Sequence, residues 1–283
     1  MKKRTWIILA LIALCIVVFV SYQTVDRLRT DTKAPVITVS EEVLQLSVQT
    51  ADHDFLRGIT AKDNKDGDVS DSIVVEGMRL VNTDGTVEVT YAAFDSAGNV
   101  AKAKRQILFT DYQSPRFDLT APLIYSQGTP VSVLGRIRAT DLLDGDISRR
   151  VKGNSLSEST ITGLGIHDVA VRVSNSLGDT VELILPVEVY PAGTYQASLE
   201  LTDYLIYLSV GDRFDFQNYL SQFTVGRETV MLSSGIPEHF SLQTSGTVNT
   251  QEPGVYSVSY TITEQTDGRN VRGYSRLIVI VEE

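Results

Sequence analysis

The chain has one cysteine, one tryptophan and three histidines in 283 residues, and each scarcity removes a class of protein. A single thiol, Cys15, excludes a disulfide framework and a cysteine-rich zinc site. His53, His167 and His239 are scattered along the chain, so no pair has metal-ligand spacing and little material remains for nucleophilic or metal catalysis. Neither a Gly-x-Ser-x-Gly elbow nor a glycine-rich phosphate loop ahead of a helix occurs. The expectation is a protein that is not an enzyme and carries no organic cofactor. Basic residues are also short: 25 Lys and Arg against 35 Asp and Glu give a net charge of -10. Such a chain offers no surface for neutralising phosphates, which excludes nucleic acid as a partner. Lysine stops altogether at Lys152, so a Lys-Asn cross-link in place of a disulfide is chemically impossible in the last third.

What is present begins with an apolar run. Lys2, Lys3 and Arg4 precede Trp6 to Tyr22, 17 residues without a charge, which as a helix cover about 25 Å, the short end of a bilayer-spanning segment. The exit, Val18-Phe19-Val20-Ser21-Tyr22, has no small-x-small cleavage pattern, so an uncleaved signal anchor over 6–22 is expected behind a cytoplasmic stub, 1–5. Arg27, Arg29 and Lys33 match the basic residues on the near side. Proximity to the apolar run, the free amino terminus and the length of the C-terminal portion break that tie, placing the N-terminus in the cytoplasm and the rest outside. Leu14 stands where a lipobox needs Gly or Ala, so Cys15 is expected to be an apolar helix residue.

Beyond the anchor the sequence repeats when slid against itself by about 80 residues. Asp31-x-x-Ala34-Pro35-Val36-Ile37 recurs as Asp111-x-x-Ser114-Pro115-Arg116-Phe117. Ala61-x-Asp63-x-x-Asp66-Gly67-Asp68-Val69-Ser70 recurs as Ala139-x-Asp141-x-x-Asp144-Gly145-Asp146-Ile147-Ser148. Gly85 and Gly98 recur at Gly165 and Gly178. These landmarks define repeats at 31–111 and 112–190. A third, 193–283, joined through Pro191-Ala192-Gly193, keeps the glycine, Gly254, and the period-two apolar face up to Tyr260 but lacks the Asp-Gly-Asp element and, by its sequence, an equivalent turn. Period-two alternation, as in Val255 to Ile262 and Arg276 to Val281, with no sustained helical period after the anchor, predicts an all-β chain of tandem β-sandwiches with about seven strands per repeat. The short joins predict semi-rigid connections, with a hinge at each as the alternative.

Two sets of side chains are candidate sites. Asp63, Asp66 and Asp68, and again Asp141, Asp144 and Asp146, put three carboxylates within six residues, as a calcium site needs. The alternative is an Asx-type turn in which the carboxylates cap backbone N–H groups. The spacing is not that of an EF-hand. Ser96-Ala97-Gly98-Asn99 reads as a hairpin turn. Eight of the twelve tyrosines lie from Tyr190 onward. Most are expected in the core, yet Tyr204, Tyr207 and Tyr219, mixed with acids and amides, are candidates for a face that binds sugar or peptide.

The motifs at Asp31 to Ile37, Ala61 to Ser70 and Val89 to Asn99 resemble those of the bacterial immunoglobulin-like domains first named from a pesticidal crystal protein. The resemblance covers 31–111 most fully. It departs in the second repeat, where Arg172, Ser174 and Asn175 replace the usual tail, and most in the third. It implies β-sandwiches strung in tandem on exported proteins of mostly Gram-positive bacteria, serving as non-catalytic spacers or adhesion modules. The expectation is therefore a single-pass cell-membrane protein with three extracellular immunoglobulin-like domains that contacts a surface protein or wall glycan. The competing expectations are a domain 3 that binds peptidoglycan or another wall polysaccharide, and an accessory subunit of an envelope enzyme or secretion complex. No sorting motif for wall attachment follows the third repeat, so residues 6–22 are the expected anchor.

Overall fold

The computed structural model describes residues 2–29, 31–153, 161–266 and 269–283; Met1 of the expected stub lies outside them. The chain divides into two compact units, Met1–Tyr112 and Gln113–Glu283.

The first unit opens with a helix, Lys2–Arg29. It runs past the expected end of the anchor because Gln23 to Arg29 contains no proline or glycine to stop it. Its apolar part, Trp6–Val25, is 20 residues long, about 30 Å, which matches a bilayer core. The sandwich that follows has the expected seven strands among the described residues. A three-stranded sheet pairs Val36–Val39 and Gly67–Asp68 with Ile59–Asp63. A four-stranded sheet runs in the order Val43–Leu46, Val100–Phe109, Thr86–Phe94, Val74–Leu80, with its first pair parallel. Alternation in Thr86–Phe94 sends Val87, Val89 and Tyr91 inward, fully buried, with Ile59 and Ala61 of the smaller sheet also in the core. A cation lies in this interior: Arg105 donates to the carbonyls of Phe55 and Arg57, both at 2.7 Å, and to the Tyr91 hydroxyl at 3.1 Å. These bonds stand in for water around the guanidinium.

The second unit contains repeats two and three. Repeat two reproduces the topology of the first, with sheets Arg116–Leu119/Ile137–Asp141/Gly145–Asp146 and Lys152–Gly153/Gly165–Ser174/Thr180–Tyr190/Ile124–Ser126, and its Ile124–Ser126 edge is again parallel. Among the described residues repeat three also has seven strands, and Leu205–Ser209 pairs in parallel with Arg269–Glu282 as the corresponding edges do in the other two. Its two sheets are merged, because Arg269–Glu282 also pairs with Ala197–Leu201. The turn expected to be missing exists: Leu220–Val225 and Glu228–Met231 form a hairpin closed by Gly226 and Arg227. Gly226 at φ +58° supplies the left-handed residue that a two-residue loop requires, so glycine replaces the acidic turn chemistry.

The expected alternation in Arg276 to Val281 is also corrected. Leu277, Ile278, Val279, Ile280 and Val281 are all buried. Leu277, Val279 and Val281 enter the core of repeat three, whereas Ile278 and Ile280 enter that of repeat two. Leu205–Ser209 divides in the same way, with Leu205 and Tyr207 on repeat two and Ile206 and Leu208 on repeat three. This join is a packed contact and not a hinge. Polar bonds rim it: Arg116 Nη2 lies 2.7 Å from Glu282 Oε2, and Glu188 Oε2 receives Arg276 Nη2 at 2.6 Å and the Tyr274 hydroxyl at 2.5 Å. Arg276 is almost fully buried, so Glu188 is the partner that makes its charge tolerable there.

Ile278→Ala is expected to cost about 3 kcal/mol by opening a cavity. Because the side chain fills the core of repeat two, hydrogen exchange should accelerate at Val169 to Val173 as well as in the mutated strand.

Candidate functional site

The six carboxylates of the Asp-Gly-Asp elements occupy the same places in the first two repeats. Asp63 Oδ1 accepts from the backbone N–H of Lys65 at 2.7 Å and of Asp66 at 3.0 Å; Asp141 Oδ1 does so from Leu143 and Asp144, both at 2.9 Å. Asp66 accepts from Ser96 N at 2.6 Å and Ser96 Oγ at 2.9 Å, and Asp144 from Ser176 N and Oγ, both at 2.7 Å. Asp68 and Asp146 each accept from the N–H and hydroxyl of the serine two residues on, Ser70 and Ser148. Gly67 and Gly145 carry the positive φ of the turn. The element thus caps its own backbone and ties it to the loop between the last two strands.

These donors shift four of the carboxyls. Backbone N–H groups of Asp66 and Lys65 hold Asp63 below the ordinary carboxylate range. The Ser70 and Ser148 hydroxyls do the same for Asp68 and Asp146. Burial works to raise Asp144, but Ser176 and Arg150 outweigh it and the group is lowered.

The residues whose ligand atoms converge are a different trio. Asp31, Asp63 and Asp95 each place a carboxylate oxygen within 4.8 Å of the others. Asp31 enters from the start of the repeat, Asp63 from the end of Ile59–Asp63, and Asp95 from the loop after Thr86–Phe94. Asp95 Oδ1 accepts from Asn99 N at 2.8 Å, and its Oδ2 from Asn99 Nδ2 at 2.7 Å. Burial pushes Asp95 up, but the Asn99 donors outweigh burial and hold it below its ordinary value. Sequence reasoning found Asp63 and missed the other two as ligands, although both sat in view, Asp31 as a repeat landmark and Asp95 beside the hairpin turn.

The tyrosine candidates do not form one face. Tyr204 packs against both cores of the second unit. Tyr207 lies under the Arg116 guanidinium, 4.7 Å from its ring centroid, and its hydroxyl accepts from Phe117 N at 2.8 Å; burial pushes this phenol up to about 12. Tyr219 stacks on Phe214 with centroids 5.8 Å apart. A stack missed by sequence reasoning, Tyr195 on Tyr274 at 4.8 Å with Tyr190 against both, lines the join between repeats two and three.

Comparison with known proteins agrees with this architecture for the first repeat. Residues 47–108 match the family described as bacterial surface protein, Ig-like domain. The pesticidal crystal protein Cry22Aa of Bacillus thuringiensis is 29% identical over 136 residues, covering 47% of this chain and 17% of that protein. The chain therefore aligns with a small part of its curated relative. Among solved structures, the protocadherin GammaB4 extracellular domain is 11% identical with a TM-score of 0.19, covering 89% of this chain and 50% of that one. A Clostridium perfringens ZmpB structure containing CBM51-2 with GlcNAc and INT domains is 14% identical with a TM-score of 0.23, covering 88% and 42%. The fold assignment rests on the sheets themselves.

The lowered carboxyls set a pH dependence. Their folded pKa values lie below the unfolded value of about 3.9, so their contribution is fully present above that value and is lost as pH falls through the folded ones. Thermal melting should be nearly flat from pH 7 to 5 and should drop below about pH 4.

Proposed function

We propose that the chain is a non-enzymatic, membrane-anchored bacterial surface protein whose immunoglobulin-like repeats serve outside the cell as spacer and interaction modules. The observation that carries this reading is the joining, in one chain, of a 20-residue apolar helix to a repeat that matches a bacterial surface family. In this reading Trp6–Val25 stays uncleaved, the basic residues before it remain in the cytoplasm, and the repeats are exported. The absence of cysteine beyond Cys15 suits folding outside the cell without disulfide chemistry, because each sandwich is held by its packed core. The acidic balance, -13 once Lys2, Lys3 and Arg4 are taken from -10, disfavours docking on anionic lipid.

Trypsin applied to intact cells should release peptides from beyond Asp31 while the helix stays with the membrane. Complete protection would invert the topology, and a medium fraction beginning after the helix would make it a cleaved signal.

Partner class is read separately, by co-sedimentation of the detergent-solubilised chain with purified wall sacculi. With Tyr204 and Tyr207 engaged in packing, the chain is expected to stay in the supernatant. Pelleting abolished by Tyr219→Ala would instead make the third repeat a wall-binding module.

A further inference from the structure

Carboxylate oxygens in a folded interior are expected to have hydrogen-bond donors, and those that lack them call for an explanation. Asp63 is 8% exposed; its Oδ1 takes two backbone donors, while its Oδ2 is buried with no hydrogen-bond partner. Asp31 shows the same split: Oδ1 accepts from Lys33 N at 3.0 Å, and Oδ2 is buried without a donor, with Lys65 Nζ 4.0 Å away. Both residues, with Asp95, belong to the trio whose oxygens lie within 4.8 Å of one another. Three carboxylates this close repel one another strongly unless a positive charge sits among them.

The second repeat supplies an internal comparison. Its turn is built bond for bond like the first, but the position of Asp95 is taken by Asn175. Asn175 Nδ2 donates to Asp141 Oδ2 at 3.1 Å. The oxygen that has no donor in the first repeat therefore has one in the second, and it faces the side chain at the 95/175 position. The carboxylate that begins the second repeat, Asp111, is engaged elsewhere, accepting from Ser47 Oγ at 2.6 Å and Val48 N at 2.8 Å. One copy of the fold has converging acids with orphaned oxygens; the other has an amide at 175, a buried acid four residues on at Asp179, and a completed hydrogen bond to Asp141.

We infer that Asp31, Asp63 and Asp95 form a binding site for a hard divalent cation, calcium, in the first repeat and not in the second. Oxygen-only ligation by carboxylates suits calcium, whose larger shell tolerates irregular geometry and completes itself with water or carbonyl oxygens. Asp31 lies two residues beyond the end of the apolar helix, Arg29. Calcium there would clamp the first residues of the repeat to the 63–66 turn and the 95–99 loop, where Asn99 Nδ2 already donates to the Asp31 carbonyl at 3.2 Å.

The test is calorimetric titration of Ca2+ into the full chain in detergent micelles, with Mg2+ as a competitor, on the wild type and three variants. The wild type should take up one Ca2+ per chain with a Kd on the order of 10⁻⁴ M, as extracellular calcium modules do. Asp63→Asn and Asp95→Asn should each weaken uptake at least tenfold, and Asp146→Asn in the second repeat should leave it unchanged. Asp95→Asn places in the first repeat the amide that repeat two carries at this position, although repeat two follows it with Asp179 where the first has Asn99; far-UV circular dichroism matching the wild type then rules out unfolding as the cause of a lost affinity. Absence of Ca2+ uptake by the folded wild type would overturn the site. So would uptake that neither Asp63→Asn nor Asp95→Asn alters.

Discussion

The second unit depends on one strand buried on both faces. In an antiparallel sandwich a strand ordinarily shows one face to the core and the other to water. Arg269–Glu282 has no water face over Leu277 to Val281, where consecutive side chains feed the cores of two repeats. Five buried aliphatic side chains in a row remove apolar surface from water on both sides of the backbone. Docking then becomes part of folding, since parting the repeats would expose Ile278, Ile280 and Leu205 together. The rim follows from the same contact: once Arg276 is buried, its charge needs Glu188, and Glu188 in turn fixes Tyr274.

The repeats differ in how they use a common plan. Among the described residues all three keep seven strands and a parallel edge. The first two close their third and fourth strands with a carboxylate-capped turn, and the third does so with a glycine hairpin. Losing the acids removes the tie from that turn to the loop between the last two strands, which Asp66–Ser96 and Asp144–Ser176 provide in the others. The third repeat instead joins its sheets through Ala197–Leu201 on Arg269–Glu282. A continuous strand thereby runs through both sheets.

Much of this was legible in the residues. The apolar helix, the repeat spacing, the strand number and the hairpin at Ser96 to Asn99 follow from local pattern, because hydrophobic period and turn chemistry act within a few residues. The acidic turns were legible as turns for the same reason. The grouping of Asp31 with Asp63 and Asp95 was not, since successive members lie three strands apart along the chain and meet only when the sandwich closes. Tyr207 was misplaced for a related reason: polar neighbours such as Asp203 suggested an outward face, and nothing local reveals that a second domain covers it.

By itself, then, the sequence determined the elements: an apolar helix of bilayer length, three β-rich repeats, and turns whose glycines and aspartates dictate their geometry. Tertiary structure decided the partners of those elements. The run Leu-Ile-Val-Ile-Val at 277–281 requires burial on both faces, but only packing chose the core of repeat two as the second cover. Aspartate at 95 and asparagine at 175 are both good turn residues, and only the approach of a second carboxylate makes one a source of repulsion and the other a donor. Local propensity is a property of neighbours along the chain, whereas burial and charge depend on neighbours in space.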